Sequence, residues 1–358
     1  MSTATRRHDL HVQIDDLRAA RLDTTELADL ESGQILLSVD QFGLSSNNVT
    51  YIAAARPFGN WRYFPVDARS GSVPVWGFAT VIASRAGHVQ AGERVFGYLP
   101  ASTHCTVDVG DADDHGFVDS ADHRSWLPAV YNRYRRLAVD PMYAAEHEPY
   151  QLLLWPLFYT AYLFDDALVE AAFHGAQTVV LSSASSKTSI AVAKLLRRRD
   201  VRLAGLTSAP NLDFVERLRL FDQIAAYGEI DELPDRGPVL FVDVAGNKTV
   251  RRAVHERMAE QLVASITIGA THWDAEEEPE QPLPGPTPEL FAAPAYIERR
   301  TAEWGADVLE QRVAAGWQEF VADVPAWLRV EAHSGPDAVL ALYGDVINGR
   351  VDPAVGHV

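Results

Sequence analysis

The chain has 358 residues, with 31 Lys and Arg against 49 Asp and Glu, a formal net charge of −18 and one cysteine. That length accommodates two domains with real cores, and 47% hydrophobic against 22% charged residues is the balance of a globular rather than a disordered protein. The acidic excess repels phosphate backbones and anionic lipid, which argues against nucleic acid and membrane as partners. The lone Cys105 excludes an internal disulfide and a cysteine-rich zinc site.

The first twenty residues carry charge throughout and lack the apolar core of a signal peptide, so a soluble cytoplasmic protein is the expectation. From about residue 30 to 110 the pattern is β-rich. Residues 34–40, 73–84 and 92–99 read as strands, set apart by turn glycines such as Gly71, Gly87 and Gly92. Short strands at this spacing predict a small, largely antiparallel barrel. Residues 56–65 form an aromatic loop able either to wall an apolar substrate pocket or to edge the core. Residues 108–124, dense in Asp and His, read as a solvated loop; their irregular spacing favours no metal ion.

Near residue 150 the character changes. Residues 152–172 are apolar with helical period, though Pro156 interrupts the run and leaves it too short to span a bilayer. Buried-type strands then follow at 177–183, 201–208, 223–227, 239–246 and 262–269, separated by helices such as 211–220. This alternation predicts βαβ units in a parallel, doubly wound sheet. Residues 274–288 join an acidic run (Glu276, Glu277, Glu278, Glu280) to five prolines and read as an exposed loop. Residues 296–328 look helical, and 339–347 form a shorter helix.

The turn after the first parallel strand is where such a sheet holds a dinucleotide's diphosphate, on free helix N–H groups. Here it reads Leu181-Ser182-Ser183-Ala184-Ser185-Ser186-Lys187-Thr188, without the usual glycines. Ser182, Ser183, Ser185, Ser186 and Thr188 could offer hydroxyls to phosphate and Lys187 a charge. A serine-rich helix cap is the plainer alternative. The second strand ends at Thr207, Ser208 and Asn211 with no carboxylate, which favours the 2′-phosphate of NADP over NAD, unless these residues only cap the next helix. Cys105 has no visible activating neighbour and reads as packed.

The order of these segments resembles the medium-chain dehydrogenase/reductase superfamily, and the resemblance covers nearly the whole chain. Residues 36–51 resemble its catalytic strand and loop, 74–97 its G-x-G-x-V…V-x-x-G-D-R-V segment, 152–162 its P-x-x-x-x-T-A-Y helix, and 242–246 the strand beneath its nicotinamide. Within it, the Ser-Ser-Asn-Asn-Val-Thr-Tyr and Leu-Ser-Ser-Ala-Ser-Ser-Lys-Thr strings are similar to the uncharacterised family DUF2855. The resemblance implies an α/β protein with a GroES-like β-barrel domain (residues 1–148 and 292–358) and a Rossmann domain (149–291). It also implies NADP as cofactor, with Val244, Ala245 and Gly246 beside it, and a homodimer joined through the last Rossmann strand, 262–269.

Zinc-dependent members carry a Cys or Asp and a His-Glu pair; this chain has Ser45-Ser46-Asn47 and Trp76-Gly77 there. It therefore resembles the zinc-free quinone and enoyl reductases, in which a Tyr or Asn polarises the substrate carbonyl. Asn47, Asn48 and Tyr51 stand at that loop and are the candidate catalytic residues, although Asn also ends strands and Tyr also packs. The expected function is NADPH-dependent reduction of an activated C=C or C=O bond of a small organic substrate. A non-catalytic nucleotide sensor, or a lyase or isomerase using the same site, remains open.

Overall fold

Apolar residues at alternate positions build the strands of the N-terminal half. In β3 (Gln34–Gly43), Ile35 and Leu37 are fully buried while their neighbours are not. The computed structural model describes residues 6–53, 61, 63–233, 237–268 and 282–358. In it, β3 joins β5 (Pro74–Ser84), β6 (Arg94–Pro100), β9 (Arg133–Arg136), β8 (Gly116–Asp119) and β7 (His104–Asp113) in a closed antiparallel barrel. Its interior is aromatic: Phe117 stacks on Tyr134 at 5.3 Å between centroids, and a side chain on Gly97 would collide with the Tyr134 ring.

Two expectations change here. Residues 108–119, read as a loop, lie largely within barrel strands: their carboxylates pair with neighbouring strands, Asp108 accepting from Gln34 and Asp113 from Arg133. Residues 6–26, which gave no signal, form β1 (Arg6–Gln13) and β2 (Ala20–Glu26), paired antiparallel and completed by β4 (Ser70–Ser72).

The chain divides into two units, Met1–Leu153 with Arg329–Val358, and Leu154–Leu328. The division falls inside α2 (Glu148–Glu170). This helix is longer than the predicted apolar run: Pro156 sits within it without ending it, and by length and composition it could cross a membrane. Its apolar side chains, among them Leu154, Phe158, Ala161, Phe164 and Leu168, are buried in the protein.

The second unit is a parallel sheet of β10 (Thr178–Leu181), β11 (Arg202–Thr207), β12 (Gln223–Ala226), β13 (Val239–Asp243), β14 (Leu262–Thr267) and β15 (Glu289–Leu290). Their order, β12-β11-β10-β13-β14-β15, is the doubly wound order of a Rossmann fold. Helices α3 (Lys187–Leu196), α4 (Leu212–Leu218) and α5 (Lys248–Met258) link the strands. The strand at 262–269, expected at the edge, is covered by β15, so β15 is the outer strand; Gly269 and the acidic run at 276–280 lie outside the described residues.

The second unit also reaches further than residue 291. Helices α6 (Ala293–Trp304) and α7 (Ala306–Ala322), separated at Gly305 with φ +85°, belong to it. The reason is packing on α2: Trp317 meets Trp155 and Phe158 edge-on at 5.5 Å, and Arg300 pairs with Asp166 at 2.6 Å. The first unit regains the chain at residue 329. There β16 (Arg329–Glu331) pairs in parallel with β17 (Val355–His357), and α8 (Pro336–Ile347) sends the Tyr343 hydroxyl to the Leu17 carbonyl at 2.7 Å.

Candidate active site

In the first unit, β3 ends at Gly43 and the chain turns into α1 (Ser46–Ala53). Gly43 must lack a side chain, because a Cβ would stand 2.7 Å from the Leu152 carbonyl oxygen. Asn47 and Tyr51, one helical turn apart, meet: the Asn47 amide donates to the Tyr51 phenol oxygen at 3.2 Å. The Trp76 indole N–H, from β5, donates to the same oxygen at 3.1 Å. Both lone pairs of the phenol are thereby used, and no group among the described residues takes its proton, which is left to donate. Burial pushes the phenol above its ordinary range, so it stays protonated at neutral pH.

Asn48, expected beside them in a catalytic role, is instead a strut. It is buried, its Oδ1 accepts from the Ser45 N–H at 2.7 Å, and its amide donates to the Pro74 carbonyl at 2.9 Å. One end of the side chain closes the loop on itself and the other ties it to β5, so both ends are occupied in holding the loop.

Around Tyr51 stands an aromatic wall that the sequence did not assemble. Tyr98 lies 5.2 Å away, Tyr131 5.9 Å and Tyr63 6.4 Å, all edge-on. The Tyr98 hydroxyl is buried without a hydrogen-bond partner among the described residues. Of the aromatic loop, Tyr63 and Phe64 join this wall, and Trp61 is buried beneath Gly71; residues 56–60 and 62 lie outside the described residues. Cys105 is buried and its thiol is pushed up to about 12, which leaves it unreactive.

In the second unit, strand order reverses between β10 and β13, and their C-terminal ends form the switch point. Ser182, buried at the end of β10, donates to Asp243 at 3.1 Å and accepts from the Val244 N–H at 2.9 Å. Asp243 also accepts from the Gly246 N–H at 2.9 Å, and its other oxygen pairs with Arg251 at 2.8 Å. The buried carboxylate is thus neutralised beneath the turn. Val244, Ala245 and Gly246, with Gly246 at φ +71°, form the bend that this network closes.

Ser183 takes the left-handed conformation, φ +50°, where a glycine would be strain-free. The Tyr227 hydroxyl holds it, accepting from the Ser183 N–H at 3.1 Å. Ser186 caps α3, accepting from the Ser189 N–H at 3.2 Å, while the Ser189 hydroxyl returns to the Ser182 carbonyl at 2.8 Å. Lys187 and Thr188, both half-buried, begin the helix. Ser185 accepts from Thr207 at 3.2 Å and from the Asn211 amide at 3.1 Å, tying the turn to the end of β11. Ser208 precedes the short turn at 209–211 and makes no side-chain cap.

The bonds that these serines make in the structure are those of caps and braces. Ser182 braces the turn through Asp243 and the Val244 N–H, and Ser186 takes the Ser189 N–H of α3's first turn. The sequence did not reveal Tyr227, Asp243 and Arg251 as the supports; only the position of Tyr227, at the end of a predicted strand, hinted at one.

A family model described as protein of unknown function (DUF2855) matches residues 42–352. No curated protein matches the chain in sequence. Among solved structures it is similar to CurA of Vibrio vulnificus in complex with NADPH, at TM-score 0.64 and 15% identity over 99% of this chain and 98% of that one. It is similar also to the yhdH oxidoreductase of Salmonella enterica in complex with NADP, at TM-score 0.56 and 14% identity over 98% and 99%. The complex of Etr1p with NADP and crotonyl-CoA matches at TM-score 0.58 and 14% identity over 97% and 98%. At these identities the likeness establishes the fold, the barrel-plus-Rossmann architecture of medium-chain dehydrogenases and reductases. With that fold and a family match spanning most of its length, the chain belongs to the DUF2855 family.

Proposed function

We propose that the protein is a zinc-independent, NADPH-dependent oxidoreductase that reduces an activated C=C or C=O bond of a small organic substrate. The observation that carries this reading is the Tyr51 phenol, whose acceptor sites are filled by Asn47 and Trp76 so that its proton can be given to a substrate oxygen. Such a donor stabilises the negative charge that grows on a carbonyl oxygen during reduction. The solved structures of like fold named above with NADP or NADPH support the cofactor assignment.

The second unit suits that cofactor. The turn at 182–188 carries only small side chains apart from Lys187, presents the start of α3 to a diphosphate, and has its one buried carboxylate neutralised by Arg251. Ser185, Thr207, Ser208 and Asn211 place neutral groups at the end of β11, where a carboxylate would repel a 2′-phosphate. NADPH would supply the hydride. The aromatic groups around Tyr51 would accept an apolar substrate body. We also propose a homodimer formed through β15, the exposed edge of the sheet.

Calorimetric titration with NADPH and NADH, followed by NADPH consumption assays on enals, enones and quinones, tests the reading. NADPH is expected to bind more tightly than NADH and to be consumed with at least one of these classes. Absence of NADPH binding sinks it, and binding without consumption across the panel replaces it with a sensor.

A further inference from the structure

The parallel pair β16 and β17 brings together residues far apart in sequence. Glu331 stands directly across from His357. The pairing continues beyond the strands, the Val358 N–H donating to the Glu331 carbonyl at 3.0 Å and the His333 N–H to the Val358 carbonyl at 2.7 Å. On an extended segment, residues two apart share a face, so Glu331 and His333 stand on one side.

Their donor atoms converge. One atom each from Glu331, His333 and His357 lies within 4.8 Å of the others. His333 Nε2 and His357 Nδ1 are 3.1 Å apart, and His357 Nδ1 and Glu331 Oε2 are 3.9 Å apart. Two nitrogens bound to one zinc ion at ordinary lengths and tetrahedral angle stand about 3.3 Å apart. The imidazoles already hold that spacing.

The surroundings complete the picture. Arg329 takes Glu331 Oε1, which orients the carboxylate and leaves Oε2 on the histidine side. All three residues line one cavity of about 470 Å³, which offers a path for an ion and room for water at its remaining positions. Exposure falls from 41% at the Glu331 side chain to 12% at His357, so the group is partly withdrawn from solvent.

We propose that Glu331, His333 and His357 form a binding site for one divalent first-row transition metal, with Zn2+ the best match to two imidazoles and a carboxylate. The site clamps the β16–β17 pair, and it is separate from the zinc-free reductive chemistry assigned to Tyr51. Nothing in Glu-x-His at 331–333 points to a histidine 24 residues on, so only the strand pairing brings the three together.

The test uses the full chain, stripped with a chelator and titrated with ZnCl2 by calorimetry and with CoCl2 by visible absorption. One equivalent is expected to bind, with a cobalt d–d spectrum, and Zn2+ should raise the melting temperature. Glu331→Gln, which keeps the side chain's shape, and His333→Ala should each weaken binding by at least tenfold and abolish the zinc-dependent rise in melting. Circular dichroism checks that the variants fold. Equal zinc affinity in wild type and both variants, or no uptake of zinc by the wild type, overturns the proposal. In the latter case the 3.1 Å contact is a hydrogen bond between the two imidazoles and nothing more.

Discussion

Two N–H groups, from Asn47 and Trp76, converge on the Tyr51 oxygen and leave its proton available. Tyr51→Phe removes that proton and also strands the two donors. Turnover is expected to fall by roughly 10²-fold or more, with KM little changed, and stability by about 1–2 kcal/mol. Steady-state kinetics and urea denaturation read the two effects separately. Because burial raises the phenol above its ordinary value, the rate should show no alkaline decline from Tyr51 below about pH 10; a decline well below that pH removes Tyr51 as the donor. At this scale the sequence was partly legible. The i, i+4 spacing of Asn47 and Tyr51 was visible, but the third partner, Trp76, comes from another strand. The part Asn48 plays in holding the loop was not visible, because its neighbours in space, the Ser45 N–H and the Pro74 carbonyl, have no signature in the chain.

Elements show where charge had to be buried for the folds to close. In the barrel, Asp119 and Arg124 pair at 3.1 Å with almost no exposure, and burial raises the Asp119 carboxyl against the pull of the guanidinium. Arg124→Ala leaves a buried carboxylate unpaired and should cost about 3–5 kcal/mol, whereas replacing both members by apolar residues of similar volume should recover much of that loss. Thermal or urea unfolding of the single and double variants decides it. In the Rossmann unit, His255 of α5 donates from Nδ1 to the Pro284 carbonyl at 2.8 Å, which sets its Nε2 to accept from Ser265 at 2.9 Å. Burial lowers its pKa, so the unfolded chain protonates first. Its contribution is complete above the ordinary histidine value of about 6.5 and is lost as pH falls from there toward the lower folded value. Stability measured from pH 8 to 5 should therefore drop, and less steeply in His255→Gln; an unchanged slope contradicts the assignment. His104 and His123, also lowered by burial, supply part of the remaining slope. The alternation of strand and helix made the Rossmann sheet legible, since each buried parallel strand is a short unbroken apolar run. The barrel's acidic strands were not, because Asp and His on a half-exposed strand look like loop residues until their cross-strand partners are known.

At the scale of the whole molecule, the edge strand β15 is two residues long and leaves Leu290 73% exposed. A dimer through this edge predicts that Leu290→Lys shifts sedimentation from dimer to monomer, and a monomeric wild type disproves the arrangement. The division of the chain carries another consequence, for the order in which the protein is made. Residues 154–328 form a unit in uninterrupted sequence, whereas the barrel unit awaits Arg329–Val358 for α8 and the bond from Tyr343 to Leu17. At roughly 5–20 residues per second on the ribosome, the barrel's first segment stands incomplete for on the order of ten seconds or more while the Rossmann unit is synthesised. Throughout that interval the surface that α8 will cover is open, so nascent chains arrested before residue 329 should engage chaperones through β1 and β2, and full-length chains should not.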